Sequence, residues 1–398
     1  MMVTMTTPDY TVETIETVQG LKEIQKDWER LVTLKKGIPL FFSFEVFMIY
    51  FEIILRNFTN IKINIFVVRN NNQKIVAIFP FTCEPKIFPS FLSFKDIAVK
   101  DEYLIGFYYF LIDPGENQEV VFQRFLEYLK RRKRRWDIIR VYSIPEDEQL
   151  VKVFTSIAGK FYKIDEGELN TLIIDCEREF DEYIKNDIEG KDLKRLKRKC
   201  RRLESKGTVT LVEMRKSDEI EKGLPYFYDI EDSGWKGKEG TSLKRSYYGT
   251  YYKELASRLS KGNKFRLYFL QLNNKYIAGI YAIIDQGILY LIKTGYLDEF
   301  AQYSPSNVLY YLVFEQLFKY REIRKIDFYG PFSDYHRVFG KHTRKRYNVT
   351  ICNRKVLPII YYVVLKVIKR SGYPFPENSL RGKMVNAFTK NFYRENYR

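Results

Sequence analysis

Residues Gly287–Gly330 read GILYLIKTGYLDEFAQYSPSNVLYYLVFEQLFKYREIRKIDFYG, and this stretch decides the fold. Ile288–Ile292 is a short apolar run of β-forming residues, Lys293-Thr294-Gly295-Tyr296 interrupts it, and Ser304-Pro305-Ser306-Asn307 has the composition of a helix start. From Val308 to Phe314 seven consecutive residues are apolar or aromatic, which predicts a helix buried against a sheet. Ile326–Tyr329 then reads as the next strand. The first N–H groups of such a helix lack intrahelical partners and carry about half a positive charge. With the side chains of Ser304, Ser306 and Asn307 they could hold a phosphate or pyrophosphate, although the same residues also serve as ordinary caps.

Outward from this core the second half reads as a strand over 208–214, helices over 218–230 and 242–260, and a hairpin of 265–272 with 276–284 turning at Asn273-Asn274. The first half has a similar order. A strand over 11–18 precedes helices over 21–32 and 44–58, the second opened by Ser43. A hairpin of 63–69 with 74–82, strands over 91–97 and 103–112, a helix over 118–135, a strand over 137–143 and a helix near 147–158 follow. VVRNNNQKIVAIFPF sits beside FLQLNNKYIAGIYAI, and in both halves an X-Pro precedes a helix leading to a strand that starts at Asp, Pro114 to Asp137 and Pro305 to Asp327. Two copies of one mixed α/β unit are therefore expected, 1–180 and 190–353, joined near Phe180–Lys191 and followed by a basic helical tail over 354–398.

The formal net charge of +17 points to an anionic partner, and nucleic acid, anionic lipid and a phosphorylated cofactor all fit the sign. The helix over 191–206 sets Leu193, Leu196, Cys200 and Leu203 on one stripe and nine basic residues around the rest. Lys130–Arg135, KRRKRR, ends another basic helix over 124–135. Both helices could grip tRNA or an anionic membrane surface, or could simply be solvated faces. Four scattered cysteines without a C-x-x-C pair and only two histidines give no expectation of a metal. MMVTMTTPDYTVET lacks the pattern of a signal peptide, so a reducing cytoplasm is expected. The apolar run Val356–Ile368 is interrupted by Pro358 and Lys366 and is too short to span a bilayer.

Several motifs carry a family resemblance. They are LKRLKRKCRRLE (193–204), Ser233-Gly234-Trp235-Lys236-Gly237, Gly287–Tyr296 with Asp298, Tyr303-Ser304-Pro305-Ser306, and Asp327-Phe328-Tyr329-Gly330 with Tyr335. In this order they resemble the GNAT acyltransferases, in the duplicated FemAB-like branch and nearest to the CelD/BcsL-type enzymes of bacterial polysaccharide synthesis. The resemblance implies a tandem GNAT-like fold with a mixed α+β sheet. It also implies an acetyl-CoA or other acyl-CoA donor, no metal, and a small-molecule or glycan acceptor such as an amino sugar. Ser306 replaces the family's usual glycine, Tyr335-His336 replaces Tyr-Lys, and the Gln/Arg-x-x-Gly-x-Gly/Ala loop of ordinary GNAT enzymes is absent.

Acyl transfer from a thioester needs a bound donor, a group that takes the nucleophile's proton, and donors for the developing oxyanion. The resemblance marks Asp298 for substrate orientation or proton acceptance, against the alternative of an exposed loop aspartate. His336 could act as a base near neutrality or be a surface histidine. Tyr303, Ser304, Ser306 and Asn307 fall at the donor end. Trp235, Lys236, Lys293, Asp327 and Tyr335 fall at the acceptor end, each with a packing or capping alternative. The basic helix keeps open a FemAB-type transfer from aminoacyl-tRNA, and the departures keep open a non-catalytic scaffold.

Overall fold

A computed structural model describes residues 10–35, 37–87, 93–98, 108–132, 136–146, 162–238, 240, 242–356, 358–360 and 363. The chain divides into two compact units, Met1–Glu168 with Arg346–Arg398, and Leu169–Lys345.

The first unit opens with β1 (Thr11–Ile15), α1 (Val18–Glu23), α2 (Gln25–Leu34), α3 (Phe44–Asn57) and β2 (Lys62–Arg69). β3 (Ile75–Ile87), β4 (Ser93–Ala98), β5 (Leu111–Ile112), α4 (Gln118–Arg131) and β6 (Ile138–Pro145) follow. Ser43 caps α3 as expected, its Oγ accepting the Val46 N–H at 3.3 Å, and Asn117 Oδ1 caps α4 by accepting the Val120 N–H at 3.2 Å. Fully buried Trp28 donates its indole N–H to the Phe42 carbonyl at 2.9 Å, and Phe79 stacks on Phe125 with centroids 4.3 Å apart. The expected helix near 147–158 and the start of the strand over 103–112 lie outside the described residues.

The chain then runs through β7 (Tyr162–Asp175), α5 (Phe180–Asp187), α6 (Gly190–Glu204), β8 (Val209–Met214), α7 (Ser217–Ser233) and the short α8 (Trp235–Lys238). α9 (Tyr248–Lys261), β9 (Phe265–Leu272), β10 (Lys275–Asp285), β11 (Ile288–Tyr296), α10 (Pro305–Tyr320), β12 (Lys325–Asp327) and β13 (Thr343–Cys352) complete it.

Each unit has the same strand plan. In the first, β1, β2, β3 and β4 form an antiparallel meander, β6 adds parallel to β4, and β13 adds antiparallel to β6. In the second, β8, β9, β10 and β11 form the meander, β12 adds parallel to β11, and β7 adds antiparallel to β12. The sixth strand of each unit comes from outside its own linear run. β7 precedes the second meander in sequence, and Arg346–Cys352 returns after the second unit to pair with β6. The boundary expected at one linker near Phe180–Lys191 is therefore not there: that segment is α5 and the start of α6. Tyr183 of α5 is buried, and its hydroxyl donates to the Phe339 carbonyl at 2.7 Å.

The sheet of the second unit is covered on both faces. Ala278, Ile280 and Ala282 of β10 share one buried cluster with Val308, Leu309, Val313 and Phe314 of α10. The alternate residues face the other way. A side chain at Gly279 would meet the Phe227 ring of α7 at 2.9 Å, and the Tyr281 hydroxyl donates to the Tyr252 carbonyl of α9 at 2.8 Å. The far side of α10 is covered by α5, where Phe180 lies 5.8 Å from Tyr311 and Tyr183 stacks on Phe318 at 5.1 Å, and this is why α10 is apolar nearly all round. Asn273 and Asn274, both at positive φ, make the β9–β10 turn as their sequence predicts.

Candidate functional site

Two structural breaks in the second unit meet at the start of α10. The parallel pairs of β11 with β12 end at Tyr290 and Asp327, whereas β11 continues to Tyr296 on β10 alone. Its register against β10 also shifts between Tyr281 and Ala282, placing an extra residue, Ile292, in β11. β12 stops because Asp327 turns the chain. Its Oδ1 accepts the Tyr329 N–H at 2.7 Å while Tyr329 takes a φ of 58°, and the Phe328 N–H goes to the Leu172 carbonyl of β7. Asp327, 2% exposed with Arg344 4.0 Å away, holds this corner. The edge of β11 facing β12 is thus left without ladder partners from β12 beyond Tyr290.

Ser304 caps α10 in the left-handed conformation at φ 51°, and its carbonyl accepts the N–H groups of Asn307 and Val308 at 3.0 and 3.2 Å. Pro305 has no N–H, so the Ser306 amide is the first donor of the helix without an intrahelical acceptor. The Ser306 side chain is buried, and its hydroxyl donates to the Gly295 carbonyl at 3.4 Å. The side chain standing where the family has glycine therefore turns to β11 and not into the opening.

That opening is a cleft of about 460 Å³ lined by Arg195, Lys199, Ser304, Asn307, Asp334 and Tyr335, with Leu196 and Val338 at its base. Arg195 and Lys199 lie one turn apart on α6, on the side of Leu196, which packs inward. Lys199 bonds the Gln302 carbonyl, and Arg202 lies 5.6 Å over the Tyr303 ring, so α6 is fixed against the segment that starts α10. Burial, then repulsion from Arg202, Arg198 and Arg195, lowers the Lys199 pKa. A phosphate entering the cleft would relieve that repulsion. Behind the cleft, buried Tyr310 of α10 is raised in pKa chiefly by burial, against the hydrogen bonds of its hydroxyl with Tyr335 and Thr294. This joins the cleft wall to β11 just past its bulge.

The remaining sequence-marked residues lie elsewhere. Asp298 is exposed, pairs with Lys238 at 2.7 Å, and receives the Ser233 hydroxyl oxygen on its own N–H at 3.1 Å. Lys293 projects from β11 toward α7 and α9, with Nζ 5.3 Å over the Tyr252 ring. Burial lowers its pKa, and the nearby Glu231 carboxylate opposes the shift. The backbone of Trp235 and Lys236 forms α8, and their side chains lie outside the described residues. Arg195, Lys199 and Tyr310 were missed as site residues. The signal available was the i, i+4 spacing of two cations beside Leu196, hidden among six other basic positions of the same helix.

His336 Nδ1 accepts the Ser333 N–H at 3.0 Å, with its ring against Phe328 at 5.0 Å, and burial pushes its pKa down to about 4. It is neutral at pH 7. Below 6.5, its ordinary value, the unfolded chain takes up this proton before the folded one does. The stability it contributes is whole above that pH and lost as the pH falls toward 4. NMR of the His336 ring should show no titration above about pH 5, and a midpoint near 6.5 would contradict this placement.

Residues 190–337 match the acetyltransferase (GNAT) domain. No curated protein matches the chain. Among solved structures FemX is similar over 87% of this chain and 99% of its own, at 12% identity and a TM-score of 0.55. A tandem GNAT protein from the clavulanic acid biosynthesis pathway is similar over 87% and 99%, at 11% identity and a TM-score of 0.49. L-PGS from Bacillus licheniformis covers 86% and 96%, at 12% identity and 0.47. The chain thus has a mixed α/β fold of two GNAT-like units. Its second unit contains the GNAT domain, and the cleft lies almost wholly within the matched residues. No group of possible metal ligands occurs among the described residues, and no helix among them is long and apolar enough to cross a membrane.

Proposed function

We propose that the GNAT domain transfers an acetyl or related acyl group from acyl-CoA to a polar acceptor such as an amino sugar or saccharide. One observation carries this: Arg195 and Lys199 converge with Ser304 and Asn307 at the amide end of α10 on one cleft, and α10 starts against β11, where Ser306 bonds the Gly295 carbonyl beyond the last pair of β11 with β12. The cations and the Ser306 N–H would take the donor's phosphates. The thioester carbonyl would then reach the part of β11 past the bulge, whose backbone N–H groups would act as oxyanion donors. The acceptor's attack forms the new bond to the acyl carbon as the carbon–sulfur bond breaks, and the proton the acceptor gives up passes through the polar groups of the site to the departing sulfur, which leaves as thiol. Asp298 and His336 remain proposed for proton handling, Tyr303 for the donor, and Trp235, Lys236, Lys293, Asp327 and Tyr335 for the acceptor. A place in cell-envelope polysaccharide synthesis follows the resemblance of the motifs.

Incubation of the whole chain with acetyl-CoA and a panel of amino sugars should release thiol in step with acceptor, and Asp298→Ala should slow it. Neither binding nor turnover with any acyl-CoA would sink the proposal. A second reading has its own support. Lys194, Lys197, Arg198 and Arg201 are exposed on α6 next to the cleft, with no ion pair among the described residues, as a polyphosphate chain entering it would require. If the donor is aminoacyl-tRNA, charged tRNA is retained on a filter with a steep salt dependence while CoA is not bound.

A further inference from the structure

The last described turn of the first unit leaves an apolar edge in solvent. Val356, Ile360 and Val363 are helical and 73%, 49% and 50% exposed, and their spacing of four and three sets them on one stripe. The turn is anchored from the other side. Pro358 is buried, the Ile359 N–H donates to the Lys355 carbonyl at 3.0 Å, and Lys355 Nζ pairs with Asp137 at 2.7 Å. Aliphatic side chains gathered on one exposed edge mark a contact surface.

The surrounding sequence supplies charge of one sign. No aspartate or glutamate occurs from Tyr335 to Pro376, and Arg354–Arg398 holds ten basic and two acidic residues, +8 of the chain's +17. The run VLPIIYYVVLKVI (356–368) carries two adjacent tyrosines and ends at Lys369-Arg370. Aromatic residues of this type settle at lipid headgroups, and cations beside them pair with anionic lipid.

We infer that the edge at Val356, Ile360 and Val363 rests on the surface of an anionic bilayer. Its side chains enter the boundary between headgroups and acyl chains, and the neighbouring basic residues neutralise lipid phosphates. The apolar edge decides between lipid and nucleic acid, because binding RNA through its phosphates needs only the cations. A second copy of the chain is disfavoured by the like charge it would bring to the same place. The inference stands apart from acyl transfer and survives the failure of that proposal.

Flotation of the full chain with vesicles of phosphatidylcholine, alone or with phosphatidylglycerol, tests it. Retention should rise about tenfold or more with the anionic lipid and fall with salt. Ile360→Asp with Val363→Asp should reduce it about tenfold while leaving the thermal melt unchanged, since both positions are exposed. Equal retention on the two vesicles, or retention indifferent to the two substitutions, overturns the inference. So does a concentration-dependent dimer abolished by them, or a preference for RNA over the vesicles in direct competition.

Discussion

Replacing Gly295 by valine is expected to destabilise the second unit by about 2–4 kcal/mol, the larger end of an overpacking cost because the obstruction is backbone. A Cβ there would stand 2.9 Å from the Glu231 Cα and 3.2 Å from the Glu231 N–H nitrogen of α7. α7 would have to lift from β11, and with it the Phe227 contact at Gly279, the residue paired across the strands with Gly295. For a unit of this size the melting temperature should fall by about 5–15 °C. Gly330→Ala is the control: its nearest contact would be the Phe328 carbonyl at 3.7 Å, ordinary van der Waals distance. Calorimetry of both variants decides the matter, and an unchanged transition in Gly295→Val would show that α7 does not press on β11.

The second large effect is on binding. Arg195→Gln with Lys199→Gln is expected to weaken the acyl donor by about thirtyfold to nearly a thousandfold, each lost charge on a phosphate being worth about 1–2 kcal/mol in a partly open cleft. Glutamine is the better choice over glutamate because Arg195 also pairs with Asp192 at 2.8 Å, a carboxylate only 13% exposed that a new negative charge would repel. The change should appear in the donor's KM and its salt dependence, with the acceptor's KM nearly unchanged, while the melting temperature falls modestly because Asp192 loses its cation and α6 its bond to the Gln302 carbonyl. Lys194→Gln with Arg198→Gln removes equal charge one step around the helix and should leave acyl-CoA binding close to that of the parent. Equal losses from both pairs would mean that only the overall field of α6 matters.

Much of the fold was legible where local pattern and burial agree. The unbroken apolar run from Val308 to Phe314 predicts a helix buried against a sheet, as α10 is against β10, and the Asn273-Asn274 pair predicts a tight turn. The cap residue Ser43 does what its chemistry dictates. β13 was not legible: TRKRYNVTIC (343–352) alternates weakly and carries three basic residues, and a strand's partner is chosen by distant chain. The acidic and basic mixture of 180–191 looked like a linker, yet Tyr183 and Leu196 are enough to bury two helices. In the site, Tyr335, marked only by the family resemblance and expected at the acceptor end, lines one cleft with Ser304 and Asn307, which helix-start spacing picks out. Spacing gave no warning that Asp298 pairs with Lys238 at the surface, because an ion pair between loops leaves no periodic trace. Nor did it separate Arg195 and Lys199 from the other cations of their helix, which differ only in the direction they face.

The return of β13 to β6 has a cost in time. The Ser143 N–H is satisfied by the Asn348 side chain at 2.8 Å, a bond closing a loop of 205 residues. At usual translation speeds of about 5–20 residues per second, that partner emerges from the ribosome some 10–40 s after Ser143 does. Throughout that interval the amino-terminal half waits with an open strand edge while the later half is still being made. The half synthesised first is the half completed last, and a nascent chain stalled after the GNAT domain would expose that edge to any strand within reach.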